Sequence, residues 1–316
     1  MSNAAICVEN LVKVYRRGRT ETRAVDDLSF SVPRGTIFGL LGPNGAGKTT
    51  TLRVLTTLTR PTSGRAAVLG HDVVQAPLEV RRRIGVVIQE QAADLLLSVR
   101  DNLLTFARFH GQGGAALRGK ADELMGRFDL GGVADRKVQD LSGGSRRRVQ
   151  VAKMFMVDVP VLFLDEFSTG MDPILKRSVM DLLRAHALHG RTIVLTTHIL
   201  TEAEELCDEI LIMNGGRQIA RGSVPALKLL GNRLYDVTVS FERLPDDLRA
   251  TAAEYRTVDF AVDHNIVRLK LKEDEARLLE FLATLSKRGH VQRVEISSGS
   301  LEEVFLELTG KAEKLP

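Results

Sequence analysis

The chain has 316 residues, 44% of them hydrophobic and 27% charged, which is the composition of a globular protein long enough for one large and one small domain. Of its 44 Lys/Arg and 40 Asp/Glu, residues 231–316 hold 13 and 16, a net −3, and residues 1–230 hold 31 and 24, a net +7. A mildly basic first part suits an anionic ligand, and the acidic last part argues against a nucleic-acid surface.

The sequence also argues against a membrane span, a signal peptide and a disulfide framework. No apolar stretch approaches the ~18 residues needed to cross a bilayer. The first ten residues lack the basic and long apolar regions of a signal peptide. Cys7 and Cys207 form neither a disulfide framework nor a metal-ligand spacing, which fits a reducing compartment. We therefore expect a cytoplasmic protein.

Short apolar runs alternate with helical stretches through the first 230 residues, a pattern typical of an α/β fold. Residues 8–15 and 28–32 are predicted to be strands on either side of a basic, solvated loop at 16–23. Residues 36–41 are predicted to be a buried strand and residues 84–88 another strand. Residues 161–164 and 192–196 have the fully apolar, β-branched character of central parallel strands.

Residues 42–49 fit the phosphate-loop pattern Gly-x-x-x-x-Gly-Lys-[Ser/Thr] at every specified position. Its glycines let the backbone bring N–H groups against phosphate oxygens, while Lys48 can reach the β- and γ-phosphates and Thr49 can ligate Mg²⁺. The loop opens a helix predicted to run from Lys48 to Leu58, so phosphates would lie at a helix N-terminus. The predicted nucleotide-binding residues here are Gly42, Pro43, Asn44, Gly45, Ala46, Gly47, Lys48, Thr49 and Thr50.

A second turn of this kind, Ser142-Gly143-Gly144, precedes another predicted helix. Its exposed N–H groups at a helix N-terminus predict a second anion site, although a bare turn would be the simpler interpretation of this segment alone. Two such sites in one chain predict a dimer in which each copy completes the other's nucleotide site. The run 146–148, three arginines, is predicted to be a solvated face of the helix.

Polar side chains follow three of the predicted parallel strands. Asp165 and Glu166 end one strand at the edge where open parallel sheets bind ligands, so Asp165 would hold Mg²⁺ and Glu166 would polarise the attacking water. His198 follows the next strand and could stabilise transition-state charge. Gln89, after residues 84–88, could reach Mg²⁺ or the water. The predicted catalytic residues are Glu166, His198 and Gln89, and the predicted Mg²⁺ ligands are Thr49, Gln89 and Asp165.

The last third of the sequence predicts a separate domain. A boundary is expected at residues 222–225, so we predict a nucleotide-binding domain over 1–225 and a small α+β domain over 231–316. Ser300 and Glu303 form a predicted capping box ahead of the last helix. The other predicted elements are a hairpin of 210–213 with 217–220, a short helix ending near 230, strands 235–241, 266–271 and 291–296, and an amphipathic helix 275–288.

Together these segments resemble the nucleotide-binding subunit of an ATP-binding-cassette (ABC) transporter, over residues 4 to about 225 and in the family's order. The resemblance implies a P-loop ABC-type ATPase core with a helical subdomain, and ATP and Mg²⁺ as ligands. Tyr15 lies where the family stacks an aromatic ring on adenine; a strand-end tyrosine in the core is the alternative. The matching motifs are the phosphate loop 42–49, the glutamine-loop residue Gln89, the signature 141–145, the acidic strand end 161–166, the dimer-contact loop 170–172 and the histidine switch Thr197-His198.

The end of the chain resembles a narrower group. Residues 300–310 look like the C-terminal extension of daunorubicin-resistance-type ATPases, cytoplasmic subunits of multidrug or antibiotic exporters with separate membrane subunits. Four positions depart from the ABC pattern: Ser145 stands where the signature usually ends in Gln, Phe167-Ser168 replaces Pro-Thr, and Met171 replaces a common Leu. None of these removes a charged or phosphate-contacting group, so we expect an active ATPase.

The resemblance implies a complete working cycle. Two copies, or one copy and a similar subunit, would bind ATP head-to-tail and drive export of a drug, antibiotic or lipid-like molecule through a separate permease, with the chain peripheral on the cytoplasmic face of the membrane. Residues 89–102 are the expected permease contact. Two alternatives stay open. A soluble ABC ATPase acting on ribosomes or DNA would usually carry two cassettes or a long coiled-coil insertion, and a non-catalytic clamp would not need Glu166 and His198.

Overall fold

The computed structural model describes residues 4–18, 20–87, 93–228, 230, 234–273, 275–298 and 300–310. The chain divides into two units, Met1–Arg221 and Gly222–Pro316. The first unit contains, in chain order, β1 (Ala4–Arg17), β2 (Thr20–Pro33), β3 (Ile37–Leu41), α1 (Lys48–Leu55), β4 (Ser63–Val68), β5 (His71–Asp72), α2 (Pro77–Arg81), β6 (Ile84–Val87), α3 (Val99–Phe109), α4 (Ala116–Arg127), α5 (Gly143–Met156), β7 (Val161–Asp165), α6 (Pro173–Leu188), β8 (Thr192–Thr196), α7 (Leu200–Leu206), β9 (Glu209–Asn214) and β10 (Arg217–Gly222).

A six-stranded sheet forms the centre of the first unit, in the order β10-β9-β3-β8-β7-β6. β3 pairs in parallel with β8 and β9, and β7 pairs in parallel with β6 and β8. Every residue of β3, β7 and β8 is buried, which explains why these strands are unbroken apolar runs in the sequence. Because parallel strands end at the same edge of a sheet, the segments that follow β3, β7 and β8 gather there.

A second, antiparallel sheet has the order β2-β1-β4-β5. Here the predicted basic loop 16–23 is wrong, because β1 and β2 continue as a paired hairpin as far as Arg17 and Thr20. Arg16 lies opposite Glu21 and forms an ion pair with it at 2.7 Å. Opposite charges on facing residues favour the strand pairing that the basic composition concealed. Strands β4 and β5 were not predicted.

Helices α3, α4 and α5 form a helical subdomain in the first unit. The rings of Phe128 and Phe155 lie 5.8 Å apart in this subdomain, and Leu103 of α3 is fully buried. Helix α1 begins at Lys48 as predicted but ends at Leu55, three residues before the predicted Leu58. It stops because Thr57 adopts a left-handed backbone conformation, with φ 63°.

The second unit is a four-stranded antiparallel sheet with helices packed on it, and its strands lie in the order 257–263, 266–272, 234–241 and 291–298. Phe281 and Leu285 of its long helix pack in one apolar core with Val237 and Leu269 of the sheet. The predicted capping box is present, since Ser300 Oγ accepts from the Glu303 N–H and the Ser300 N–H donates to the Glu303 carboxylate, both at 3.2 Å. Its elements are α8 (Val224–Lys228), β11 (Leu234–Phe241), α9 (Leu248–Ala253), β12 (Thr257–Asp263), β13 (Ile266–Lys272), α10 (Glu275–Arg288), β14 (Val291–Ser298) and α11 (Leu301–Leu308); α9 and β12 were not predicted.

Among the residues that the structure describes, no helix has both the length and the apolar character needed to cross a membrane.

Candidate active site

The phosphate loop joins β3 to α1 along a path that two glycines make possible. Gly47, the residue before α1, has φ 102°, and a Cβ there would lie 2.3 Å from the carbonyl oxygen of Ala24. A Cβ on Gly42 would lie 2.4 Å from the carbonyl oxygen of Met213. Both contacts are shorter than any side chain tolerates, so the loop takes this course only with glycine at these positions. The result is a helix N-terminus whose N–H groups lie beside the end of β3.

Lys48 lies at the centre of this loop. Its ammonium donates to the carbonyl oxygens of Gly42 at 2.6 Å and Pro43 at 3.1 Å, and its side chain is buried. Burial lowers the pKa of the Lys48 ammonium, and the nearby carboxylates of Glu166 and Asp165 oppose that shift. A buried ammonium beside the N–H groups of a helix N-terminus is a strong partner for phosphate oxygens.

Thr49 and Asp165 bring two oxygen ligands together from different elements. The Thr49 hydroxyl, in the first turn of α1, donates to Asp165 Oδ2 at 3.2 Å. Asp165 ends β7 with only 1% of its surface exposed, and the Thr196 hydroxyl donates to its other oxygen, Oδ1. Mg²⁺ in phosphate sites takes one or two protein oxygens with substrate phosphates and water, and this pair fits that requirement.

Glu166 and His198, which the sequence places at the ends of β7 and β8, are in direct contact. His198 Nδ1 lies 3.2 Å from Glu166 Oε1, with 57% of the histidine side chain and 20% of the glutamate side chain exposed. The Glu166 backbone has φ 50°, a left-handed conformation that residues with a Cβ rarely adopt. Its N–H donates to the carbonyl oxygen of Thr196 at 3.0 Å. A carboxylate and an imidazole are thus held at the open edge of the sheet.

Two other predicted site residues have different outcomes. Gln89 falls in residues 88–92 and lies outside the described residues. Tyr15 of β1 is 38% exposed and is therefore not part of the core. The ammonium of Lys13 lies 4.9 Å from the centre of the Tyr15 ring. A ring with an exposed surface remains available to stack on a base, so its role in binding adenine stays a prediction.

The Ser142-Gly143-Gly144 turn begins α5 as the sequence predicted. The Ser142 hydroxyl accepts from the Ser145 N–H at 3.2 Å and caps the helix. Gly143 is open, since a Cβ there would meet nothing within 4 Å, whereas a Cβ on Gly144 would lie 2.7 Å from the carbonyl oxygen of Gly170. A cleft of about 380 Å³ is lined by Gly143, Gly144, Arg146, Arg147, Gln150, Glu166, Thr169 and Gly170.

The predicted solvated face at the three arginines is wrong, because all three guanidinium groups bind within the chain. Arg147 is buried and donates to the carbonyl oxygens of Asp165 and Glu166. Arg146 donates to backbone carbonyl groups of residues 139 and 141, and Arg148 pairs with two carboxylates. The sequence did contain a signal. Successive helical residues point about 100° apart, so three in a row do not share one face.

The comparisons with known proteins agree with the resemblance to ABC transporter subunits. The family model described as "ABC transporter" matches residues 25–169. The daunorubicin/doxorubicin resistance ATP-binding protein DrrA of Streptomyces peucetius is 41% identical over 97% of this chain and 92% of its own. The Nod factor export ATP-binding protein I of Neorhizobium galegae is 36% identical over 97% of this chain and 85% of its own.

A solved structure extends the agreement to three dimensions. The dimeric structure of a bacterial ABC transporter cassette matches with a TM-score of 0.64 at 25% identity, over 69% of this chain and 98% of that one. The predicted α/β P-loop ATPase fold is therefore confirmed. The chain belongs to the ABC transporter family, as an ATP-hydrolysing ATP-binding subunit of the daunorubicin-resistance type.

Proposed function

We propose that two copies of this chain bind two ATP molecules head-to-tail and drive the export of a drug, antibiotic or lipid-like molecule through a separate membrane subunit. The observation that carries the proposal is the meeting of the Glu166–His198 pair with Lys48 and the Thr49–Asp165 pair at one edge of the sheet. Phosphoryl transfer needs this combination of a phosphate cradle, oxygen ligands for a metal and a residue that orients water.

ATP binding falls to the phosphate loop and to Tyr15. The loop N–H groups and the Lys48 ammonium hold the phosphates, and the exposed ring of Tyr15 stacks on adenine. The ammonium now donates to two loop carbonyl groups, so binding exchanges those contacts for charged phosphate oxygens. The exchange favours the nucleotide because hydrogen bonds between two charged groups are the stronger kind.

A Mg²⁺ ion would be held by Thr49 and Asp165, whose oxygens already face each other, with Gln89 as a further ligand. When bound, such an ion neutralises charge on the β- and γ-phosphates. Asp165 is suited to this role because the Thr196 hydroxyl fixes its second oxygen and the strand buries it. The nucleotide and water would supply the ion's other ligands.

Hydrolysis depends on the Glu166–His198 pair. The Glu166 carboxylate accepts a proton from the attacking water, which contributes roughly 10²–10⁴-fold in typical general-base catalysis. His198 lies against Glu166 through Nδ1, and an imidazole N–H would stabilise charge on the γ-phosphate. The contact between the two side chains therefore keeps both groups at the same reacting centre.

The dimer is proposed because the turn 142–144 lies at the start of a 14-residue helix and its Gly143 has open space around it. Such a terminus suits an anion, and the γ-phosphate held by a second copy is the proposed one. A similar cassette is a dimer in its solved structure. Two identical copies are the simplest arrangement, and a related subunit could take the place of one.

The membrane partner is proposed to bind residues 89–102, with the chain peripheral on the cytoplasmic face. Leu96 within this segment is an exposed apolar side chain, which suits contact with another protein. Both relatives named above carry names of resistance or export ATP-binding proteins. Action on ribosomes or DNA is not favoured, because these relatives match nearly the whole chain.

Transport by the assembled complex tests this proposal. A tagged chain would be captured from membranes, its partner identified, and the pair placed in lipid vesicles for ATP-driven uptake of an anthracycline dye. We expect a multi-helix permease as partner, and the Glu166→Gln complex should assemble but not transport. Glu205→Gln is the matched control, because Glu205 forms an exposed ion pair with Arg177 on the outside of α7. A ribosomal or DNA-repair partner would contradict the proposal.

A further inference from the structure

The first turns of α5 lie against the segment that carries Glu166. Gly144 is so close to Gly170 that a Cβ on Gly170 would lie 3.1 Å from the Gly144 Cα. Three residues later on the helix, Arg147 reaches the carbonyl oxygens of Asp165 and Glu166. Residues three apart share a helix face, so one face of α5 contacts residues 165–170 at both ends of that segment.

The backbone at Glu166 needs such support. Its φ of 50° places a residue with a Cβ in the left-handed region, which persists only where the surroundings hold it. On one side, the Glu166 N–H is held by the carbonyl oxygen of Thr196. On the other, the Arg147 guanidinium binds the carbonyl oxygens before and after the strained φ angle, the second at 2.8 Å.

Arg147 is well suited to this task. Its planar guanidinium offers several donors in a fixed geometry, and a second nitrogen is fixed by Gln150 Oε1 at 2.9 Å, one helical turn along. Burial lowers the pKa of Arg147, while the charges of Asp165 and Glu166 oppose that shift. Burying a guanidinium costs free energy unless hydrogen bonds such as these offset the loss of hydration.

We propose that Arg147 is a positioning residue for hydrolysis, which holds the Glu166 carboxylate in its reactive place and ties it to the helix that begins at Ser142. The inference rests on the proposed role of Glu166 as general base. Because the turn 142–144 starts the same helix, a phosphate that engages the turn also restrains the helix on which Glu166 depends. Occupancy of the second anion site would thereby reach the hydrolytic residue of the same copy.

The first test compares Arg147→Met with Arg191→Met in the purified full chain. Arg191 is another buried arginine of the first unit that donates to a backbone carbonyl, that of Val157 at 2.6 Å, and it lies beside α5's other end. Arg147→Met should lower ATP turnover roughly 10- to 100-fold, as expected for a misplaced catalytic group, with ATP affinity unchanged. Arg191→Met should lower the melting temperature and keep turnover. Equal turnover losses in the two variants would overturn the inference.

The decisive readout is the double variant with Glu166→Gln. If Arg147 acts through Glu166, adding Arg147→Met to Glu166→Gln should change single-turnover hydrolysis less than about twofold, because residues that act as a unit are not additive. Multiplied losses would overturn the inference and leave the proposed function standing. Unchanged turnover in Glu166→Gln alone would contradict the proposed function itself. If Arg147→Met does not fold, Arg147→Lys, which keeps the charge but has a single donor nitrogen and so cannot span the same partners, serves in the same comparison.

Discussion

The two units differ in where they keep their charges. In the first unit the described residues include six buried charged side chains, which are Lys48, Arg147, Lys153, Asp165, Arg191 and Glu202. In the described part of the second unit no Lys, Arg, Asp or Glu side chain is buried, and the charged groups form partly exposed pairs such as Lys270 with Glu303. Buried charges lower stability unless they are paired or hydrogen-bonded, so their concentration in one unit points to a functional site there. The difference indicates that the chemistry belongs to the first unit.

The largest effect is expected from Lys48→Ala. Hydrogen bonds to charged groups are worth about 1.5–3 kcal/mol each, so losing the ammonium should weaken ATP binding by a factor on the order of 10²–10³. Titration with a fluorescent ATP analogue measures this directly. Lys270→Ala is the control from the second unit, and it should leave ATP affinity unchanged. Tight ATP binding by the Lys48 variant would refute the assignment of the loop.

Phe281→Ala separates stability from chemistry. Phe281 is fully buried in the core of the second unit, and replacing such a side chain by alanine costs about 3–5 kcal/mol. We expect early thermal unfolding of the second unit, followed by circular dichroism, while the first unit still binds ATP. Leu279→Ala on the exposed side of the same helix should change little. Loss of ATP affinity together with unfolding of the second unit would contradict the conclusion that ATP binding belongs to the first unit alone.

Lys153 should make the free energy of unfolding of the first unit depend on pH. Burial lowers the pKa of Lys153 to about 8, with Asp94 opposing, and its ammonium lies 4.8 Å from the centre of the Phe106 ring. Since the unfolded chain keeps the ordinary pKa of 10.5, it binds more protons between pH 8 and 10.5, and stability rises with pH across that window. The cost is fully present at pH 7, below both pKa values, and is on the order of 3 kcal/mol.

Urea unfolding at pH 7, 8 and 9 measures that cost by comparison with Lys153→Met. The methionine variant should be the more stable at pH 7, and the difference between the two proteins should shrink as pH rises. A difference that stays constant over this range would show that the ammonium is not the cause.

Gly144→Ala and Gly143→Ala test how closely α5 packs against residues 165–170. A Cβ on Gly144 would meet the Gly170 carbonyl oxygen at 2.7 Å, whereas one on Gly143 has open space. Overpacking of this kind typically costs about 1–3 kcal/mol, so the free energy of unfolding should fall for Gly144→Ala and stay near the wild-type value for Gly143→Ala. Equal stabilities would mean that α5 does not lie as close to the 165–170 segment as described.

The sequence predicts what depends on neighbouring residues. The strands β3, β7 and β8 were predicted because fully buried strands are continuous apolar runs, and the phosphate loop was predicted because each of its positions has a steric or charge requirement. The capping box at Ser300 was predicted for the same reason, since both partners lie within one helical turn.

What the sequence could not predict depends on pairing between different elements of the fold. Strands β1 and β2 reach their full length of 14 residues through cross-strand pairs such as Arg16–Glu21. From composition alone, the residues around this pair look like a basic loop. Arg147 looked solvated because the carbonyl groups that it binds lie 18 and 19 residues away. The sequence placed Glu166 and His198 at one edge, but their direct contact follows from the pairing of β7 with β8.

The central claim is that Glu166 is the general base of an ATP-driven dimer, and Glu166→Gln tests it most directly. The variant keeps the shape of the side chain and removes its ability to accept a proton. ATP turnover should fall roughly 10²–10⁴-fold, and light scattering with ATP should show a stable dimer that the wild-type chain forms only transiently. Hydrolysis at the wild-type rate, with no dimer in the presence of ATP, would contradict the account.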